Sequence, residues 1–222
     1  MAAPGEFPCQ GVGMESKVLD TKFYPATEER GYLMIVLHGR GDSRDGFAWL
    51  PEALAFPDMA YLMPNAPDDY FGGYSWYGLP PDQGPGVVRS RKLLDALLAE
   101  TQEAGFPVEK TFVLGFSQGC LMSWEWGGRL GVSLAGVVGI SGYVHEVGPL
   151  KAEFTDAAKA TPRLITHGTE DEVLPFEVSE RQARELEAGG IRFTWAEFEK
   201  GHTILPEELV MIRRWIEGVM TG

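Results

Sequence analysis

The sequence predicts an α/β fold, a mostly parallel central sheet with helices on both faces in a single domain, and three observations carry that prediction. Short apolar runs alternate along the chain with longer segments of helical period. Glycine and proline punctuate the junctions between them. The length of 222 residues, with 44% hydrophobic and 23% charged content, suits one domain able to bury roughly 70% of its extended-chain surface. Apolar runs alternating with helical segments are the signature of βαβ units, whose parallel strands are covered on both sides.

Taken in order, residues 1–14 form an expected flexible leader ahead of a domain over 15–222, with Met14 a candidate native start. The leader lacks a basic stretch followed by an apolar one, so it does not resemble a secretory signal. Residues 17–24 suggest an edge strand. Core strands are expected at 32–37, 59–63, 111–114, 134–140, 163–166 and 192–198, each a short apolar run. Helices are expected at 89–104, where Leu93, Leu94, Leu97 and Leu98 recur at helical spacing, at 117–130, at 177–188 and at 206–220, where Pro206 suits a first turn. Residues 64–85 break the alternation with a long connection rich in proline, glycine and aromatics, a feature more often functional than idle. Phe71, Tyr74, Trp76 and Tyr77 in it either line an apolar substrate groove or pack the loop onto the body.

Charge and composition narrow the function. The net charge of −13, with 19 scattered Lys and Arg, argues against a nucleic-acid partner, which needs a basic stripe. The longest apolar runs fall well short of the ~20 residues a spanning helix needs, so no membrane insertion is expected. Two cysteines, Cys9 and Cys120, cannot build a disulfide framework or a zinc cluster, and a cytoplasmic location is the default.

Gly115-Phe116-Ser117-Gln118-Gly119 fits G-x-S-x-G between an apolar strand and a helical segment. A very tight strand-to-helix turn strains the central residue and projects its side chain, and the glycines relieve crowding. Ser117 would then lie at a helix N-terminus, where free amides and the dipole favour developing negative charge. A serine hydroxyl is a poor nucleophile until a base takes its proton. Of the four histidines, His38 precedes Ser117, His167 closes a strand, and His145 lies in a loop after 134–140. His202, between the last strand and the last helix, alone satisfies the chain order Ser, acid, His expected of such a turn. The acid belongs in the loop after the preceding strand, where Glu170, Asp171 and Glu172 stand side by side. A short aspartate holds an imidazole tautomer at little entropic cost, which favours Asp171 without excluding its neighbours. The oxyanion requires amide donors from the residue after the nucleophile, Gln118, and from an early loop, His38-Gly39-Arg40-Gly41-Asp42, through Arg40 N–H.

With those residues in place, the sequence resembles the phospholipase/carboxylesterase family of small α/β-hydrolases, which includes acyl-protein thioesterases. The resemblance runs through Leu37-His38-Gly39-Arg40-Gly41-Asp42, Pro64-Asn65-Ala66-Pro67, Trp76-Tyr77, Gly115-Phe116-Ser117-Gln118-Gly119, Ser141-Gly142-Tyr143, His167-Gly168 with Asp171 and Pro175, and Gly201-His202. It implies the α/β-hydrolase fold, Ser117 as nucleophile, Asp171 as acid, His202 as base and oxyanion amides on Arg40 and Gln118, with no cofactor or metal. The residues expected to touch substrate are Trp76, Tyr77, Phe71, Tyr143 and Leu174.

The function expected is therefore a serine carboxylesterase that hydrolyses short- to medium-chain esters through an acyl-enzyme, acting as a monomer or homodimer. Relatives usually carry an apolar residue where this chain has Arg40, which disfavours depalmitoylation. The alternatives are a long-chain lysophospholipase or acyl-protein thioesterase and, in another class, a hydrolase-fold ligand-binding protein.

Overall fold

The computed structural model describes residues 14–28 and 31–222. In chain order the elements are β1 (Thr21–Tyr24), β2 (Tyr32–Leu37), α1 (Leu50–Leu54), β3 (Met59–Pro64), the hairpin β4 (Asp68–Tyr70) and β5 (Gly73–Ser75), α2 (Gln83–Glu103) and β6 (Thr111–Phe116). They continue with α3 (Gln118–Gly127), β7 (Gly136–Ile140), α4 (Val147–Glu153), α5 (Asp156–Ala160), β8 (Arg163–Gly168), α6 (Phe176–Ala188), β9 (Thr194–Phe198) and α7 (Pro206–Thr221).

Seven strands form one sheet in the order β1-β3-β2-β6-β7-β8-β9, parallel throughout except that the edge strand β1 runs antiparallel to β3. The alternation of side chains across a strand divides the core between its faces. Leu33, Ile35 and Leu37 of β2 join Leu94, Leu97 and Leu98 of α2 and Leu121 and Met122 of α3 on one face. Met34 and Val36 join Leu50 and Leu54 of α1 and Ile212 and Ile216 of α7 on the other. Helix α3, buried at every position, lies directly on the central strands.

The chain leaves β2 for β3 on one side, then returns to place β6 on the other side of β2. The loops after β2 and β6 thus diverge from adjacent strand ends, and the crevice between them is where open α/β sheets bind ligands.

The expected strands and long helices are all present, with ends moved by a few residues. Residues 134–140 and 192–198 begin as strands only at Gly136 and Thr194. Helix α2 starts at Gln83, ahead of the expected 89, because Pro85 in a first turn gives up no intrahelical bond. Gly86 permits that start, since a Cβ there would lie 2.8 Å from the Tyr77 Cα. The connection 64–85 is therefore not structureless but carries the β4–β5 hairpin and the first turn of α2. Helices α1, α4 and α5 are additional to the expected elements, being too short to show a period in the sequence. Of the expected leader 1–14, residues 1–13 lie outside the described residues, and Met14 itself packs into the core on the α2 face.

Candidate active site

The β6–α3 turn places Ser117 at φ 55° and ψ −115°, a conformation costly for a residue with a side chain. The chain is held there by close approach on either side. A Cβ on Gly115 would lie 2.1 Å from the Gly119 carbonyl oxygen, and one on Gly119 would lie 1.9 Å from that of Leu37. Ser117 N–H donates to Ile140 O at 3.0 Å, tying the turn to the end of β7.

His202 approaches from the β9–α7 loop. Its Nε2 is 2.9 Å from Ser117 Oγ, and its Nδ1 is 2.7 Å from Asp171 Oδ2. A carboxylate beside Nδ1 fixes the proton there, so Nε2 faces the serine hydroxyl as an acceptor. The other Asp171 oxygen, Oδ1, accepts from Val173 N–H at 3.0 Å and Leu174 N–H at 2.8 Å, which fixes the carboxylate's direction. Its side chain is fully buried, whereas Glu170 and Glu172 are exposed on the same loop. The geometry thus selects Asp171 from the three adjacent acids.

His167 lies behind Asp171 rather than beside the serine. Its Nε2–H donates to Leu174 O at 2.9 Å, and burial pushes its pKa below the usual 6.5, so it stays neutral. His38 is buried beneath the oxyanion loop, donating from Nδ1 to Gly39 O at 2.6 Å and accepting at Nε2 from Ala66 N–H at 3.0 Å. Burial lowers its pKa as well. His145 lies away from the triad, its N–H bonded to Glu125.

A Cβ on Gly39 would stand 3.3 Å from Ser117 Cβ, so the β2 loop runs directly over the nucleophile. Gly41 N–H donates to Tyr74 O at 2.8 Å and Asp42 N–H to Gly39 O at 3.3 Å, fixing the loop on both sides of Arg40 N–H. Gln118 opens α3, where the N–H has no intrahelical acceptor. These are the two amides expected to hold an oxyanion.

Two of the expected substrate contacts, Trp76 and Tyr77, are 0% and 2% exposed and pack within the core. Trp76 Nε1–H donates to His38 O at 2.9 Å, while the Gln118 amide accepts from Trp76 N–H at 2.9 Å and donates to Tyr77 O at 2.9 Å. Nothing in the sequence marks the Gln118 side chain, as distinct from its backbone N–H, as a brace for this loop. Phe71, 96% exposed, sits at the hairpin tip with φ 46°. Tyr143 and Leu174 are half-buried, the former accepting a hydrogen bond from the Gln83 amide. Arg40 is exposed, its guanidinium 5.2 Å from the Tyr70 ring centroid. Among the described residues, no group of three or more His, Cys, Asp or Glu is placed to hold a metal ion.

A hydroxyl, an imidazole and a buried carboxylate in line, beside two backbone amides, can transfer an acyl group by way of the serine oxygen. Comparison with known proteins agrees with that chemistry. A family model described as phospholipase/carboxylesterase matches residues 24–220. The chain is 30% identical over 215 residues to acyl-protein thioesterase 1 of Yarrowia lipolytica, covering 87% of this chain and 94% of that protein. It is 27% identical over 206 residues to carboxylesterase SOBER1 of Arabidopsis thaliana, covering 84% and 90%. The crystal structure of esterase PE8 superposes with a TM-score of 0.79 at 31% identity, covering 90% of this chain and 99% of that one.

Proposed function

The chain belongs to the phospholipase/carboxylesterase family and is a carboxylic ester hydrolase; on that premise we propose that it cleaves short- to medium-chain esters through an acyl-enzyme on Ser117. The observation that carries the residue roles is the continuous hydrogen-bonded line from Ser117 Oγ through His202 to Asp171. His202 Nε2 takes the hydroxyl proton as Ser117 Oγ attacks the carbonyl carbon. The Arg40 and Gln118 amides receive the oxyanion, and loss of one such donor typically costs ~3 kcal/mol of transition-state stabilisation. The imidazolium then protonates the departing alcohol, and a water activated by the same Nε2 releases the acid. Asp171 orients the ring through Nδ1 and stabilises the imidazolium.

Two observations support a short to medium acyl chain. Trp76 and Tyr77, the aromatics that could floor a long apolar groove, are buried in the core. Arg40 carries a permanent charge on the exposed oxyanion loop, and covering it with a long acyl chain would strip its water. Similarity to the acyl-protein thioesterase of Yarrowia lipolytica favours a second reading, hydrolysis of acyl thioesters, for which we infer a long acyl chain. Hydrolysis of p-nitrophenyl esters across an acyl series from about two to about sixteen carbons separates them. Turnover peaking at the short end supports the esterase, and a long-chain optimum overturns that preference. No helix among the described residues is long and apolar enough to cross a membrane. A cytoplasmic protein acting on small-molecule esters, as a monomer or homodimer, is part of the same proposal.

A further inference from the structure

The only fully buried pair of opposite formal charges among the described residues lies not in the triad but next to it. Lys200 and Glu208 each have fully buried side chains, with Lys200 Nζ 2.7 Å from Glu208 Oε1 and 2.6 Å from Oε2. The third Nζ donor goes to Thr203 O at 2.7 Å. Lys200 follows β9 and Glu208 lies in the first turn of α7, so the pair closes the loop that carries His202. Inside that loop Thr203 N–H turns back onto Gly201 O at 2.9 Å, with His202 at the apex.

The same residue reaches the acid loop by its backbone. Lys200 O accepts from Glu170 N–H at 3.1 Å, and a Cβ on Gly168 would lie 2.3 Å from that oxygen. Glu208 has a further duty, accepting Leu205 N–H at 3.2 Å where α7 begins. Burial depresses the Lys200 pKa, while Glu208 and Asp171 hold it up.

A buried ion pair is weak evidence for stability, since well-packed apolar side chains of similar volume often serve as well or better. What such a pair adds is direction. All three ammonium donors have fixed acceptors, one of them the carbonyl immediately after His202.

We propose that Lys200 and Glu208 are positioning residues that hold the His202 imidazole at hydrogen-bonding distance from both Ser117 and Asp171. This rests on the reading of His202 as the general base. A misplacement of about 1 Å at a reacting group can cost of order a hundredfold in rate, so loosening this clamp acts on kcat.

The test uses the full chain carrying Lys200→Met with Glu208→Gln, which removes both charges, retains side-chain volume and leaves an acceptor for Leu205 N–H. Activity on a p-nitrophenyl ester, the thermal midpoint and the downfield proton resonance of the His202 Nδ1–H are measured together. The expected result is kcat lowered at least about tenfold, KM within about twofold, a thermal midpoint close to wild type, and a shifted or broadened resonance. Wild-type kcat with an unmoved resonance in the folded variant overturns the proposal. Should that variant fail to fold, Glu208→Asp keeps both charges but withdraws the carboxylate by one methylene; a kcat loss with unchanged KM supports the clamp, and wild-type kcat overturns it. His202→Ala separates the two readings: if it keeps full activity the general-base assignment fails, whereas an inactive His202→Ala beside a fully active clamp variant defeats only the clamp.

Discussion

Ser117 holds a backbone conformation that costs of order 1–3 kcal/mol, retained because the surrounding chain leaves it no alternative. The strain aims the hydroxyl at His202 and releases Gln118 N–H at the head of α3. The oxyanion loop on the other side depends on a different residue, His38, whose two ring nitrogens bond Gly39 O and Ala66 N–H. That pattern needs the neutral ring, because a proton on Nε2 would face another N–H. Its pKa is accordingly lowered from 6.5, mainly by burial. The unfolded chain therefore binds the proton more readily than the folded one. Stability from this source is complete above the unfolded value near 6.5 and declines as pH falls from there towards the folded pKa. His38→Gln should flatten part of the decline in urea midpoint between about pH 7.5 and about pH 5. Parallel wild-type and variant curves would mean that His38 does not contribute. His167 adds to the wild-type slope in the same direction.

At the scale of elements, the site depends on how closely α3 lies against the sheet. A Cβ on Gly119 would fall 1.9 Å from the Leu37 carbonyl oxygen, which leaves no room for any side chain. Gly119→Ala should cost about 3 kcal/mol, as overpacking at a backbone contact does, and lower Tm by roughly 6–12 °C in a domain of this size. A Tm within about 2 °C of wild type would show that α3 can shift without penalty. This glycine was visible in the sequence through its motif, but the reason for it, an approach to β2 rather than to Ser117 alone, was not. The same division runs through the other elements. Long periodic segments such as α2, α6 and α7 were legible because their burial repeats at helical spacing. The short α1, α4 and α5 were not, although Thr155, which caps α5 by accepting Ala158 N–H at 3.0 Å, left a capping residue in view. Aromatic content in a loop does not distinguish a groove from a brace, so the burial of Trp76 and Tyr77 is not legible there; the bonds that tie them to Gln118 and His38 cross some forty residues of sequence.

At the scale of the whole molecule, the strand order brings the parts together. Ser117, Asp171 and His202 follow β6, β8 and β9, and the oxyanion loop follows β2, so all four arrive at the C-terminal ends of parallel strands in one sheet. Their order along the chain was readable, since a strand-turn-helix G-x-S-x-G restricts where acid and base can follow. The choice of Asp171 over its neighbours was not readable from composition and rests on burial and two backbone donors. The Lys200–Glu208 pair was equally hidden, because eight positions separate its members and nothing in the sequence marks a lysine as buried. The central claim is that acyl transfer passes through Ser117 Oγ. Its most direct measurement is peptide mass mapping after reaction with a fluorophosphonate ester, run on wild type and Ser117→Ala. The account predicts one phosphonyl adduct on the peptide containing Ser117, loss of ester hydrolysis in step with labelling, and neither adduct nor appreciable turnover in Ser117→Ala; an adduct on another residue, or a Ser117→Ala protein that still hydrolyses esters at the wild-type rate, would contradict it.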